Sequence, residues 1–283
     1  MNNRKRRANL AQETLNVLEA GTYTNHQKEV INIQEALEVA IEGTELYAPE
    51  DFKKEVYSER DVVMQDRSFD TVFEVTTETT LQAARRLFEE GHQDIAVLNF
   101  ASAKNPGGGF LGGSQAQEES LARSSALYPC LEKHKSLYLA NRKRRTGLYS
   151  DHMIYSPQVP VFRDDDGDFL DAPYPLSFIT SPAVNAGSVK ENYPQELEMV
   201  EDTMLKRTEK VLSLAVSYQH PVLVLGAWGC GVFKNNPKDI AHYFATFLQA
   251  EGRFAKAFEK VVFAVYSGQR NNPNLPAFEE LFG

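Results

Sequence analysis

The sequence predicts an α/β fold, a largely parallel sheet covered by helices on both faces. Three observations carry this. Short apolar runs recur (IAVLNF at 95–100, LSFIT at 176–180, VLVLGAW at 222–228, VVFAVYSG at 261–268), and unbroken runs of this length are what strands buried on both faces look like. Stretches with helical apolar spacing separate them. Loops rich in glycine or turn residues follow three of these runs, and in such sheets ligands bind beyond the strand ends.

In order, Leu10, Leu15, Val17 and Leu18 make a loose helical stripe that Gly21 ends. Ile33, Leu37, Ala40 and Ile41 make a second, ended by Gly43. Residues 44–60 are polar, carry Pro49 and read as a connection, so residues 1–60 are expected to be an N-terminal helical extension. From 61 to 283 the strand–helix alternation takes over. TVFEV (71–75) reads as a strand, and Leu81, Ala84, Leu87 and Phe88 as a helix closed by Gly91. Residues 114–127 read as a helix. HMIYSP and VPVFRD (152–163) read as extended, with a turn at DDGD (165–168). Residues 195–218 form a long helix with Leu197, Val200, Met204, Leu205, Val211, Leu212 and Ala215 on its buried side. Asn236-Pro237 starts another, with Asn as cap and Pro in the first turn.

The composition narrows the function. With 42% hydrophobic and 11% aromatic residues, the 283-residue chain can bury a sizeable core. Its 30 basic and 39 acidic side chains leave a net charge of −9, which argues against coating nucleic acid through bulk charge. No run approaches the roughly 20 apolar residues of a membrane span. Cys130 and Cys230, a hundred residues apart, make neither a disulfide scaffold nor a metal knuckle, which points to the reducing cytoplasm. The six histidines show no metal-ligand spacing, and no GxSxG elbow is present. A monomer without metal or cofactor is expected.

The strongest motif is NPGGGFLGGSQAQEES, residues 105–120. The backbone of Gly107, Gly108 and Gly109 can approach a ligand closely, and its N–H groups could cradle an anion such as a diphosphate. Ser114 followed by Gln117 reads as a capping box, which would set Glu118 and Glu119 near the start of a helix facing the loop. The plainer alternative is a flexible loop with Glu119 paired to Arg123 at i+4. GAWGCGVF, 226–233, is a second glycine loop after a buried strand; it matches neither the P-loop nor the dinucleotide fingerprint. SPAVNAGS, 181–188, reads as a turn. Two RKRR runs, Arg4–Arg7 and Arg142–Arg145, read as a solvated terminus and a helix end, with steering of a polyanion as the alternative.

The glycine triplet, seven residues, then Gln117-Glu118-Glu119 resembles the signature of the bacterial-type (microbial) poly(ADP-ribose) glycohydrolases of the macrodomain superfamily. GAWGCGVF resembles that family's second phosphate loop, and LAQETLNVLEAGTY its N-terminal extension. The resemblance implies a three-layer α/β/α macrodomain with a mixed sheet over residues 61–283. It implies hydrolysis of the ribose–ribose O-glycosidic bond of poly(ADP-ribose), releasing ADP-ribose, without a cofactor. By position, Glu119 would be the general acid/base and Glu118 would hold ribose hydroxyls, with Gln117 supporting. Asn105 would contact the terminal ribose. The loops at Gly107–Gly109 and at Gly229, Cys230, Gly231 and Val232 would hold the diphosphate, and Phe233 would pack on the terminal ribose. Tyr266 would stack on adenine unless it is a core residue. A module that only reads ADP-ribose, lacking any need for Glu118 and Glu119, and an eraser of mono-ADP-ribosylated protein or nucleic acid stay open as alternatives.

Overall fold

The computed structural model describes residues 3–249, 251–268 and 271–283. An N-terminal helix, α1 (Asn3–Ala20), leads into a small hairpin, β1 (Thr22–Thr24) and β2 (Val30–Asn32), then α2 (Gln34–Glu42), β3 (Glu45–Tyr47) and α3 (Tyr57–Gln65). The rest runs β4 (Val72–Thr76), α4 (Thr80–Glu89), β5 (Ile95–Phe100), α5 (Gln117–Ser124), α6 (Leu127–Lys133), α7 (Lys135–Lys143), β6 (Met153–Arg163) and β7 (Phe169–Ser181). It closes with α8 (Ala186–Asn192), α9 (Met199–Ser217), β8 (Val222–Leu225), α10 (Pro237–Leu248), β9 (Lys260–Ala264) and α11 (Leu275–Phe282).

Seven strands form one sheet in the order β3-β6-β7-β5-β8-β9-β4. β7, β5, β8, β9 and β4 are parallel, whereas β3, β6 and β7 pair antiparallel. The sheet is therefore mixed, as the family resemblance implied and the apolar runs alone did not. The cause is local. Asp164 Oδ1 accepts from the N–H groups of Gly167 at 3.0 Å and Asp168 at 2.9 Å, and Gly167 has φ +95°, closing a tight hairpin that turns β7 back along β6.

Successive side chains of a strand point to opposite faces, and here both faces are buried. Ala96, Leu98, Leu223 and Leu225 face α9, α10 and α11 through Val211, Leu212, Phe244 and Phe278. Ile95, Val97, Val222 and Val224 face α2, α4, α6 and α7 through Leu37, Leu87, Leu131 and Tyr138. This is the three-layer α/β/α arrangement.

Three local expectations need correction. The segment expected to be a connection supplies β3, an edge strand of the main sheet, and α3 runs through residue 60. The helix expected at 114–127 begins at Gln117, because Arg123 draws the Ser114 carbonyl (2.8 Å) and the Gln115 side chain into the preceding loop. It breaks at Ser125, which is extended and bridges to Val161. Leu197 precedes α9 and is exposed rather than buried.

Candidate active site

Because β5, β7 and β8 run parallel, the loops after their C-terminal ends meet at one edge of the sheet. The loop after β5 carries Asn105 and the glycine triplet. Gln117, the first residue of α5, fixes the return: its Oε1 accepts from Phe100 N at 2.8 Å and its Nε2 donates to Leu98 O at 2.8 Å and Thr80 Oγ1 at 3.2 Å. Gln117 thus ties α5 to the end of β5 and closes no capping box; the N-cap is Ala116, and Ser114 caps nothing.

Glu118 and Glu119 follow in the first helical turn, where the helix dipole favours anions. Glu118 is buried. Its Oε2 accepts from Ser102 N at 2.6 Å, and Asn99 Nδ2 lies 3.4 Å from its Oε1. Burial pushes its carboxyl up to about 8, and the nearby charge of Glu119 adds to the rise against these hydrogen bonds. Asn99 Oδ1 has no partner among the described residues; with the amide turned over, it would accept the proton of a neutral Glu118. Glu119 is half-buried, and its Oε1 accepts from Gly109 N at 2.9 Å. The i+4 pair with Arg123 does not form among the described residues.

The glycine triplet lies against the carboxylates. Gly109 N–H is given to Glu119, and Gly108 N–H closes a turn on Asn105 O at 3.0 Å. Gly108 has φ +59°, and a Cβ there would lie 2.5 Å from Glu119 Oε1 and 3.3 Å from Glu118 Oε2. From behind, α1 braces the same loop. Arg4 Nε donates to Gly112 O at 3.0 Å and Arg7 Nε to Gly113 O at 2.8 Å, so the first RKRR run is a clamp rather than a solvated terminus.

The loop after β8 differs. Trp228 Nε1 donates to Ser181 O at 3.1 Å, and Asn235 Nδ2 donates to Val184 O at 2.7 Å and Gly229 O at 3.1 Å, bolting it to the loop after β7. Between these anchors, no hydrogen bond among the described residues uses the N–H groups of Gly231, Val232 or Phe233. Nothing lies within 4 Å of a Cβ placed on Gly231, and Val232 is 79% exposed. Successive unpaired amides on open backbone are a ready anion cradle. Cys230 is a half-buried residue whose thiol pKa is pushed up to about 12 by burial, which suits a loop residue rather than a nucleophile. Phe233 packs its ring 5.8 Å from that of Tyr149. Asn185 caps α8 through Ser188 N at 2.9 Å, as a turn residue does. Tyr266, just past β9, is 57% exposed, which removes the core reading.

The sequence profile of the microbial-type PARG catalytic domain matches residues 11–164. The chain belongs to the microbial-type PARG family. Among solved structures, the poly(ADP-ribose) glycohydrolase of Thermomonospora curvata is 43% identical with a TM-score of 0.90, over 98% of this chain and 100% of that one. A second structure of that enzyme, 44% identical, carries the inhibitor ADP-HPD; it has a TM-score of 0.88 over 98% of this chain and 99% of that one. The poly(ADP-ribose) glycohydrolase of Deinococcus radiodurans in complex with ADP-ribose is 48% identical with a TM-score of 0.79, over 86% of this chain and 96% of that one. No curated protein matches the chain.

For a member of the PARG family, the residues that sequence reasoning missed are those that hold the signature. Asn99 was legible as the one polar residue in the apolar run IAVLNF. Ser102 left no signal, and Arg123 and Arg142, whose Nη2 donates to Asn105 Oδ1 at 3.0 Å, stood out only as a helix pair and a basic run, because the contacts of all three are distant in sequence or on backbone atoms.

Proposed function

We infer that this chain is a poly(ADP-ribose) glycohydrolase that cleaves the ribose–ribose O-glycosidic bond and releases ADP-ribose. The observation that carries this reading is the placement of Glu119: a half-buried carboxylate held by the Gly109 amide at the open edge of the sheet, beside a buried partner. Breaking a glycosidic bond passes through an oxocarbenium-like state, so the departing oxygen needs a proton. Glu119 donates that proton as the bond breaks, then takes one from the water that attacks the ribose, which restores it. Glu118, fixed by Ser102, orients ribose hydroxyls, and Gln117 sets the helix. Asn105 meets the terminal ribose and Phe233 packs on it. The amides from Gly231 to Phe233, with Gly229 and Cys230 shaping their loop, hold the diphosphate. Tyr266 stacks on adenine. Gly107 leaves room for the rings of Phe110 and Tyr128, which a Cβ would meet at 2.9 and 3.2 Å.

The test is incubation with purified poly(ADP-ribose) and, separately, with mono-ADP-ribosylated protein, following released ADP-ribose. Release from the polymer is expected. Release from the mono-modified target alone would favour the eraser reading, and binding without release the reader. Glu119→Gln is expected to lower turnover by about 10²–10⁴-fold, the usual contribution of a general acid. Calorimetry should show ADP-ribose affinity retained, since the diphosphate amides lie on another loop. Near-normal turnover would assign the acid elsewhere.

A further inference from the structure

The second basic run, Arg142–Arg145, lies on the rim of the site. At its start, Arg142 Nη2 donates to Asn105 Oδ1 at 3.0 Å, which sets the run against the loop after β5. Just beyond it, Gly147 O accepts from Asn185 N at 2.8 Å and the Tyr149 ring packs on Phe233, against the loops after β7 and β8. The run thus bridges the two ligand loops. Lys143, Arg144 and Arg145 are exposed, and none makes an ion pair among the described residues; neither does exposed Lys104, next to Asn105. The next carboxylate along the chain, Asp151, is held by Arg207 Nη2 at 2.8 Å and Lys210 Nζ at 2.6 Å. In a protein of net charge −9, these four exposed cations concentrate positive charge beside an anion site; the carboxylate that borders the run, Glu196, accepts from Thr146 Oγ1.

We propose that this rim binds the diphosphate of the polymer unit next to the one being cleaved. The proposal rests on the glycohydrolase reading above. Uncharged amides from Gly231 to Phe233 serve one diphosphate, and every further unit of the polymer brings another. Flexible lysine and arginine side chains at a helix end suit phosphates whose position varies from unit to unit, where a fixed amide cradle would not.

The test uses the full chain with Lys143→Ser, Arg144→Ser and Arg145→Ser together, leaving Arg142 in place because it touches Asn105. KM for long polymer is expected to rise about tenfold at low salt, as for three exposed phosphate contacts of modest strength each, with kcat unchanged. The slope of log KM against log salt should fall by about 1.4, since the diphosphate brings two phosphates and each one neutralised on a single strand adds roughly 0.7. ADP-ribose affinity should not change, and the charge-keeping set Lys143→Arg, Arg144→Lys and Arg145→Lys should behave as wild type. Wild-type KM and salt slope in the serine variant would overturn the proposal, as would an equal loss of ADP-ribose affinity. So would a single-stranded oligonucleotide that competes as well as the polymer, which would make the rim a nucleic-acid surface. Polymer binding measured on a Glu119→Gln background reads the rim without cleavage, so a failure of the hydrolase reading is seen separately.

Discussion

Glu118 and Glu119 are sequence neighbours with different surroundings, and the difference separates their roles. Glu119 reaches the open edge of the site. Glu118 sits beneath Gly108 with a carboxyl pushed up to about 8, chiefly by burial. The folded protein therefore favours neutral Glu118, against an ordinary carboxyl near 4.5 in the unfolded chain. That stabilisation is complete below about pH 4.5 and is lost as pH rises through about 8. Glu118→Gln is neutral at every pH and escapes the loss. Urea unfolding of both proteins at about pH 5 and about pH 9 should show the variant gaining on wild type at the higher pH. A difference that does not change with pH would mean that burial leaves Glu118 charged. The pair of carboxylates was legible in the sequence as Gln-Glu-Glu at a helix start. Which of them is buried was not, because Ser102 and Asn99 reach Glu118 from another part of the chain.

At the scale of elements, the two glycine loops look alike in sequence and behave differently. Glycine content alone makes both of them phosphate cradles. In the loop after β5, Gly108 and Gly109 give their N–H groups to Asn105 and Glu119, while the loop after β8 leaves three successive amides unpaired among the described residues. Periodicity cannot show where an N–H group points, so this distinction was beyond the sequence. Two substitutions separate the loops. Gly108→Ala puts a Cβ 2.5 Å from Glu119 Oε1 at a backbone φ of +59°, so turnover should fall about 100-fold through displacement of the acid. Gly231→Val meets nothing within 4 Å, so melting should be unchanged. Its branched side chain stands where the diphosphate must approach, and losing one hydrogen bond to a charged group costs about 1.5–3 kcal/mol, or tenfold and more in ADP-ribose affinity. Calorimetry and single-turnover rates decide; the opposite pattern would exchange the roles of the loops. The two RKRR runs teach the same lesson. Arg4 and Arg7 of α1 hold the carbonyls of Gly112 and Gly113 and brace a loop, whereas Lys143, Arg144 and Arg145 at the end of α7 are exposed and make no ion pair among the described residues.

For the molecule as a whole, net charge was a poor guide to the ligand and remains a useful one to self-association. A net −9 says little about binding a polyanion that local amides and one basic rim can contact, but it sets copies of the chain against each other. The sheet edges point the same way. β3 has three residues and β4 five; β4 carries Glu74 at its centre, held by Arg86 at 3.0 Å and Lys260 at 2.7 Å. Short edges with a charge in the strand give another copy little to pair with. The exposed large apolar side chains, among them Val30, Val39, Val62, Leu139 and Met199, come from separate elements, and single exposed residues of this kind make no docking face. Light scattering across about 10–100 µM should therefore return the 31.8 kDa of one chain, with no dependence on concentration. A mass that climbs toward two chains, and falls back when salt is lowered, would show that −9 is too little repulsion and that an edge or patch of this surface pairs after all.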